Sequence, residues 1–251
     1  MMRKIIWILL GISSLFADVR VPKPWNPGFF DGEKNPAQRI SSFRMGLLWT
    51  EPMEGVDYEV LGFASEWGND RFYVGMDYSS AFLDSLYRSE KFGLDLSISF
   101  SQWTFGLGGT ADVQIVPGEA SWWDVSARLG SSLRVGAFDC GILSVLSKNL
   151  EENAVDAQVH WNALPRFQSG VQVLFRRRNG TLLIFQESLI LGALFLQGSV
   201  AFPGPKIGVG IGILWGDFLS TFGTHRDGSY MNSKMAGLIV SKKLENESKN
   251  R

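Results

Sequence analysis

Residues 92–100 read FGLDLSISF, with Phe92, Leu94, Leu96, Ile98 and Phe100 at one parity and Gly93, Asp95, Ser97 and Ser99 at the other. Successive side chains of a strand leave on opposite faces, so this run predicts a β-strand with one apolar and one small or polar face. The pattern recurs along most of the chain. Phe72, Val74, Met76 and Tyr78 alternate with inward Arg71 and Asp77; Trp103, Phe105, Leu107, Ala111 and Val113 alternate with Thr104, Gly106, Gly108, Thr110 and Asp112. Val125 and Ala127 oppose Asp124, Ser126 and Arg128, while Val155, Ala157, Val159 and Trp161 oppose Asp156, Gln158 and His160. In residues 207–215, Ile207, Val209, Ile211, Ile213 and Trp215 alternate with Gly208, Gly210 and Gly212.

Fourteen such segments are predicted, beginning near Ile40, Asp57, Arg71, Phe92, Gln102, Trp122, Phe138, Ala154, Phe167, Thr181, Ile190, Lys206, Asp217 and Met231. An even count is what bacterial single-chain barrels show. A soluble sandwich also alternates, but it turns its polar residues outward, so periodicity alone leaves the wet face open. The connections favour a membrane barrel. Predicted outer loops (51–55, 80–91, 114–121, 148–153, 223–230) are mostly longer than predicted inner turns such as 68–70, 101–102 and 216–217; 162–166 is a longer inner exception and 203–205 a short outer one.

Aromatic residues fall at predicted strand ends. Trp67, Phe100, Trp103, Trp161 and Trp215 group at one edge, and Trp49, Tyr78, Trp122 and Trp123 at the other, as expected for two interfacial belts. The opposite parity supplies a predicted lumen of mixed sign: Asp77, Asp95, Asp124, Arg128, Asp156, His160 and Arg176. Mixed charge permits ion pairs that close a lumen, whereas a large open pore calls for a strong selectivity ring.

Before the strands, Arg3 and Lys4 followed by an apolar run to Phe16 and Leu15-Phe16-Ala17 predict a secretory signal over 1–17, cleaved after Ala17. The run is too short to favour an uncleaved spanning anchor. Residues 18–39 are rich in proline and glycine and read as irregular chain, 40–244 as the barrel, and 245–251 as a polar tail. The apolar stretch 188–202 is interrupted by Gln197 and Gly192 and falls short of a helical span.

Net charge is −1 without a basic block, which excludes nucleic acid as an expected partner. Cys140 is the single cysteine, so no intrachain disulfide forms; it is read as a small packing residue. Two histidines, His160 and His225, and one cysteine offer no metal-ligating set. His160 lies beside Asp156 and Gln158 and reads as a lumenal hydrogen-bonding residue rather than the base of a nucleophilic site. Gly208-Val209-Gly210-Ile211-Gly212 lacks the spacing of a phosphate loop. Arg176-Arg177-Arg178 reads as a solvated outer loop, with contact to anionic lipopolysaccharide as the alternative. A non-enzymatic protein needing no cofactor or metal is therefore expected.

Asn35-Pro36-Ala37, placed between the signal and the first strand, resembles the NPA signature of the N-terminal plug in FadL-type outer-membrane transporters and in the related PorV and PorQ group of type IX secretion. Leu146-Ser147-Lys148-Asn149-Leu150, Leu164-Pro165-Arg166 and Thr224-His225-Arg226 are similar to strand-end and loop features of that group, and fourteen is its strand number. The segment before Ile40 is much shorter than the hatch of a fatty-acid transporter, and the C-terminal strand lacks the usual terminal aromatic residue. The resemblance implies an outer-membrane β-barrel of a diderm bacterium with a short N-terminal plug. As functions it implies passage of a hydrophobic small molecule, or a non-enzymatic part in secretion or surface attachment of proteins, with membrane lipid as surroundings.

Overall fold

The computed structural model describes residues 35–37, 42–51, 57–83, 86–148, 153–164, 166–177, 180–203, 206–227 and 231–243. The expected signal peptide, most of the plug-like segment and the polar tail lie outside the described residues. Fourteen strands form one closed antiparallel sheet. They are β1 (Ser42–Glu51), β2 (Tyr58–Gly68), β3 (Phe72–Leu83), β4 (Tyr87–Phe100), β5 (Trp103–Ile115), β6 (Trp122–Val135) and β7 (Phe138–Ser147). The ring continues through β8 (Ala154–Leu164), β9 (Phe167–Arg176), β10 (Gly180–Leu191), β11 (Leu194–Phe202), β12 (Lys206–Trp215), β13 (Phe218–Asp227) and β14 (Met231–Lys243). Each strand pairs with its sequence neighbours, and β1 closes on β14 from Ser42↔Lys243 to Glu51↔Lys234.

Among the described residues there is one closed layer and no second sheet to cover the apolar parity. Leu94, Leu96, Leu107, Val125, Val159, Val209, Ile211 and Ile213 all stand exposed on the outer surface. On β4 this face runs from Phe92 to Phe100, about 26 Å along the strand at ~3.3 Å per residue. A tilt near 40° reduces that to about 20 Å of height, close to the apolar band of outer-membrane barrels. Closure leaves no free sheet edge, so every strand satisfies its backbone groups within the ring, as hydrocarbon surroundings demand.

The two rims differ. At one, strands meet through two-residue turns, and Ser101, Gly136, Gly192 and Gly216 take positive φ at the first position. That is the type II′ geometry, whose twist matches paired strands. Between β2 and β3 the Asn69 side chain instead accepts hydrogen bonds from the backbone N–H groups of Arg71 and Phe72, both at 2.8 Å. The other rim carries the wider gaps, including Glu51 to Tyr58, Ile115 to Trp122 and Ser147 to Ala154. Tight-turn rim and loop rim thus follow the expected short–long rhythm.

Four details differ from expectation. The loop expected over 80–91 is mostly strand, since β3 runs to Leu83 and β4 starts at Tyr87. Tyr78 therefore sits inside β3, not at its end. It still marks the edge of the apolar band, because the next outward residues, Ser80 and Glu90, are polar and Glu90 accepts hydrogen bonds from the Tyr78 and Ser80 hydroxyls. In residues 188–202, β10 extends to Leu191 and turns at Gly192-Ala193, so β11 begins at Leu194 rather than Ile190. Gly223 to Asp227, expected as loop, completes β13, and the extra residues expected after Trp161 are absorbed by a register shift between Trp161 and Leu164.

Candidate functional site

Fourteen strands spaced about 4.8 Å apart and tilted about 40° enclose a backbone circle roughly 28 Å across, wider than side chains alone fill. What lines and crosses that space is the candidate site. The inward parity is divided. From β2 to β6 it carries most of the charged groups, whereas β10 to β14 with β1 and one residue of β2 present Ile190, Phe195, Leu214, Leu219, Ile239, Leu48 and Ala64, an apolar cluster near the tight-turn rim. A second apolar cluster, Leu143, Val145, Ala154 and Leu174 with Leu182, lies on β7 to β10.

Within the polar sector, Arg128 of β6 reaches back toward β4 and β3. Its guanidinium stands 3.0 Å from Asp95 and 3.8 Å from Asp77. Asp95 is 0% exposed and Arg128 2%. The approach needs small neighbours: a Cβ on Gly108 would lie 2.0 Å from the Asp95 carboxylate and 3.2 Å from Arg128 Nε, and one on Gly93 would lie 2.4 Å from Asp77. Glycine at both places lets charged side chains lie flat against the wall. Below them the buried Tyr73 hydroxyl donates to Glu66 at 3.0 Å, and Arg44 stands directly across from Glu66 in the β1–β2 register. Charged groups on β1, β2, β3, β4 and β6 thereby tie one arc of the lumen together.

Asn35-Pro36-Ala37 is seated inside the ring on β5, β6 and β7. The Asn35 side-chain oxygen accepts from the Ala37 N–H at 2.9 Å, and its amide donates to the carbonyls of Ser131 and Ile142 at 3.5 and 3.3 Å. Ser132 donates its hydroxyl to the Ala37 carbonyl at 2.9 Å. The floor of this seat is glycine. A Cβ on Gly106 would lie 2.3 Å from the Pro36 carbonyl carbon, one on Gly130 2.0 Å from Asn35 Oδ1, and one on Gly141 3.1 Å from Asn35 Nδ2. A Cβ at Gly106 would strike the backbone of this segment, and one at Gly130 would strike the Asn35 side chain.

The remaining lumenal residues named from sequence also face inward, but they do not converge. Asp124 accepts from Ser147 at 3.0 Å, Asp156 accepts from Gln172 at 2.6 Å, and His160 pairs with Gln158 at 3.1 Å. Arg176 ends β9 at the loop rim. Among the described residues, no group of histidine, cysteine or acidic side chains is arranged to hold a metal ion. Cys140 lies on the outward parity of β7 between Phe138 and Ile142 and is partly buried there.

Six of the seven tryptophans expected in the belts share the outward parity; Trp122 does not, because it shares the inward parity of β6 with Asp124 and Arg128, across from Gln114. Trp67, Trp103, Trp161 and Trp215 lie near the tight-turn rim, directly across from Phe43, Phe100, Phe138 and Phe218 respectively. Trp103 also stacks on Phe105, with ring centroids 6.1 Å apart. Trp49 and Trp123 lie toward the loop rim. Sequence reasoning missed Glu66, Tyr73 and Arg44. Parity alone would have found Glu66 between Ser65 and Trp67, and Tyr73 between Phe72 and Val74.

Comparison with solved structures gives the fold a name. A mutant of Rh. blastica porin matches with a TM-score of 0.51 at 5% identity, covering 80% of this chain and 99% of that one. A triple mutant of Rhodopseudomonas blastica porin matches with a TM-score of 0.50 at 6% identity and the same coverage. The fold is that of a porin-type β-barrel. Likeness at this identity concerns fold alone. No protein-family profile and no curated protein sequence matches the chain, so FadL and PorV kinship goes no further than the resemblance of its motifs and strand number.

Proposed function

We propose that the chain is an outer-membrane channel whose lumen is held shut in this conformation, its tight-turn rim facing the periplasm. The observation that carries this reading is the seating of Asn35-Pro36-Ala37 on the glycine floor of β5 to β7, below the Arg128–Asp95 pair. A barrel wall needs no cradle of glycines unless something lies against it. The outward apolar face supports membrane residence, and the export signal read from residues 1–17 supports delivery to the outer membrane. Residues 18–39 then act as a short plug. The solute is a small molecule; the apolar lumenal clusters favour one with hydrophobic character, as the FadL-like motif implies.

A second reading has one observation in its favour. The side chains of Tyr73, Asp95, Arg128, Leu143 and Ile239 are almost wholly buried inside the ring, which suits a sealed, non-conducting scaffold of PorV type that holds a secreted protein at its loops. Single-channel recording in planar bilayers separates the two. Wild type should be mostly silent, and Gly130→Val, which collides with Asn35, should give frequent conductance steps while keeping heat-modifiable gel mobility. Large stable openings in wild type would remove the plug. Silence in folded Gly130→Val, and in a chain lacking residues 18–37, would leave the scaffold reading.

A further inference from the structure

The outer face carries one residue that contact with lipid does not account for. On β10 the outward positions are Leu183, Phe185, Glu187, Leu189 and Leu191, so a carboxylate stands at the middle of an apolar row. It lies about 13 Å along the strand from either end of that row at ~3.3 Å per residue. At a tilt near 40° this is about 10 Å of depth on each side, the centre of the apolar band. Glu187 is exposed and, among the described residues, has neither an ion-pair nor a hydrogen-bond partner. Its neighbours across both strand pairings are small: Gly198 of β11 and Ser169 of β9 stand directly opposite it. A Cβ on Gly198 would meet nothing within 4 Å, so the wall beside the carboxylate is open to whatever packs there. No other charged side chain on the outward parity of the described strands has apolar outward residues on both sides.

We infer that Glu187 marks a docking line for a membrane-spanning segment of another protein, one that carries a lysine or arginine at the middle of its span. An ionisable group at mid-membrane depth is costly unless a group of complementary charge meets it there. Depth decides between the sources of positive charge. A lipid ammonium stays at headgroup level, about 10 Å from this carboxylate. A second copy of the chain brings no match either. The outward basic residues of the described strands, Arg88, Arg226, Lys234 and Lys242, each stand near a strand end, with a polar residue or the strand terminus on one side. A spanning segment, by contrast, holds a cation at whatever depth its sequence sets. Lysine also fits the local shape. Its apolar stem lies over Gly198 between Leu196 and Val200, and its ammonium donates to the Glu187 carboxylate and the Ser169 hydroxyl.

The inference goes beyond the channel reading and shares with it only residence in the membrane. Its probe is a synthetic leucine–alanine helix of about 20 residues with one central lysine, beside versions with central leucine and central glutamate. The full chain, labelled with a donor fluorophore at Cys140, is reconstituted in phosphatidylcholine vesicles, and energy transfer to an acceptor on the helix is titrated. Saturable transfer is expected for the lysine helix, and only the random background for the other two. Glu187→Leu, which suits a lipid-facing position and keeps the fold, should abolish the saturable part. Glu187→Gln should weaken it about tenfold or more, since a charge pair out of water is worth far more than one in it. Glu187→Asp should restore most of it. No saturable binding of the lysine helix, equal binding of the leucine helix, or unchanged binding in folded Glu187→Leu would overturn the assignment. So would transfer between two labelled copies of the chain that Glu187→Leu abolishes, because the face would then serve self-association. Oxygen collision with a spin label at position 187 reports hydrocarbon or water independently of any partner. Failure of the docking site is thereby told apart from failure of membrane residence.

Discussion

Replacing Arg128 by methionine tests the account of the lumen at its most constrained point. Asp95 has no exposure and its described ionic partner is the Arg128 guanidinium at 3.0 Å, with Asp77 at 3.8 Å. Removing the cation leaves a buried carboxylate without that partner. Breaking a buried ion pair from one side costs about 3–5 kcal/mol, because the desolvation of the remaining charge is no longer offset. Removing both charges is different. Arg128→Met with Asp95→Asn should recover most of the loss, since a buried pair replaced as a unit is often close to neutral. The cycle is measured by urea unfolding in lipid vesicles, read by heat-modifiable gel mobility. A coupling of about 2 kcal/mol or more is expected between residues in direct contact. A single-variant loss below about 1 kcal/mol, with additive behaviour in the double variant, would refute the idea that this pair ties β4 to β6.

Other consequences can be checked with the same unfolding assay. Leu107→Arg, at a position 56% exposed, should cost about 2–4 kcal/mol in vesicles if that face meets hydrocarbon; a water-exposed site would tolerate it within about 0.5 kcal/mol. Tyr73→Phe removes the donor 3.0 Å from buried Glu66 and should destabilise by about 1–3 kcal/mol, with a lowered urea midpoint as the readout. Ser101→Gly should stabilise by about 1 kcal/mol, because Ser101 holds φ of 55° where the corresponding turns carry glycine; a lower midpoint would show that the hydroxyl is needed there.

Much of this fold could be read from the sequence because a barrel writes its two surroundings into alternate positions. The parity of Phe92 to Phe100 gave both the strand and its lumenal Asp95, and the same logic located Arg128 and Asp156. Boundaries were harder where polarity changes along an outward face. Ser80, Arg88 and Glu90 look like a loop because they are polar, yet they continue β3 and β4 beyond the apolar band marked by Tyr78. The Ile190 boundary failed for a related reason, since Leu191-Gly192-Ala193-Leu194 offers no polar residue to announce a turn; Gly192 at φ of 64° was the only cue. Pairings across the ring were not legible at all. Nothing in the chain ties Gly106 to Gly130 to Asn35, because their contact depends on β5–β6 register and on a segment separated by many residues. Chemistry at single positions is local, but seats and ion pairs come from topology.

The claim beneath all of this is that the apolar parity contacts lipid and the polar parity contacts the lumen. Spin labels placed one at a time along residues 92–100, with Cys140 replaced by serine and the protein reconstituted in phospholipid vesicles, measure it directly. Collision with oxygen, which concentrates in hydrocarbon, should peak at positions 92, 94, 96, 98 and 100 and fall at those between, a period of two along β4. Even positions shielded from both oxygen and water-soluble nickel reagent would mean that another protein layer covers them, and the barrel account would not survive that result.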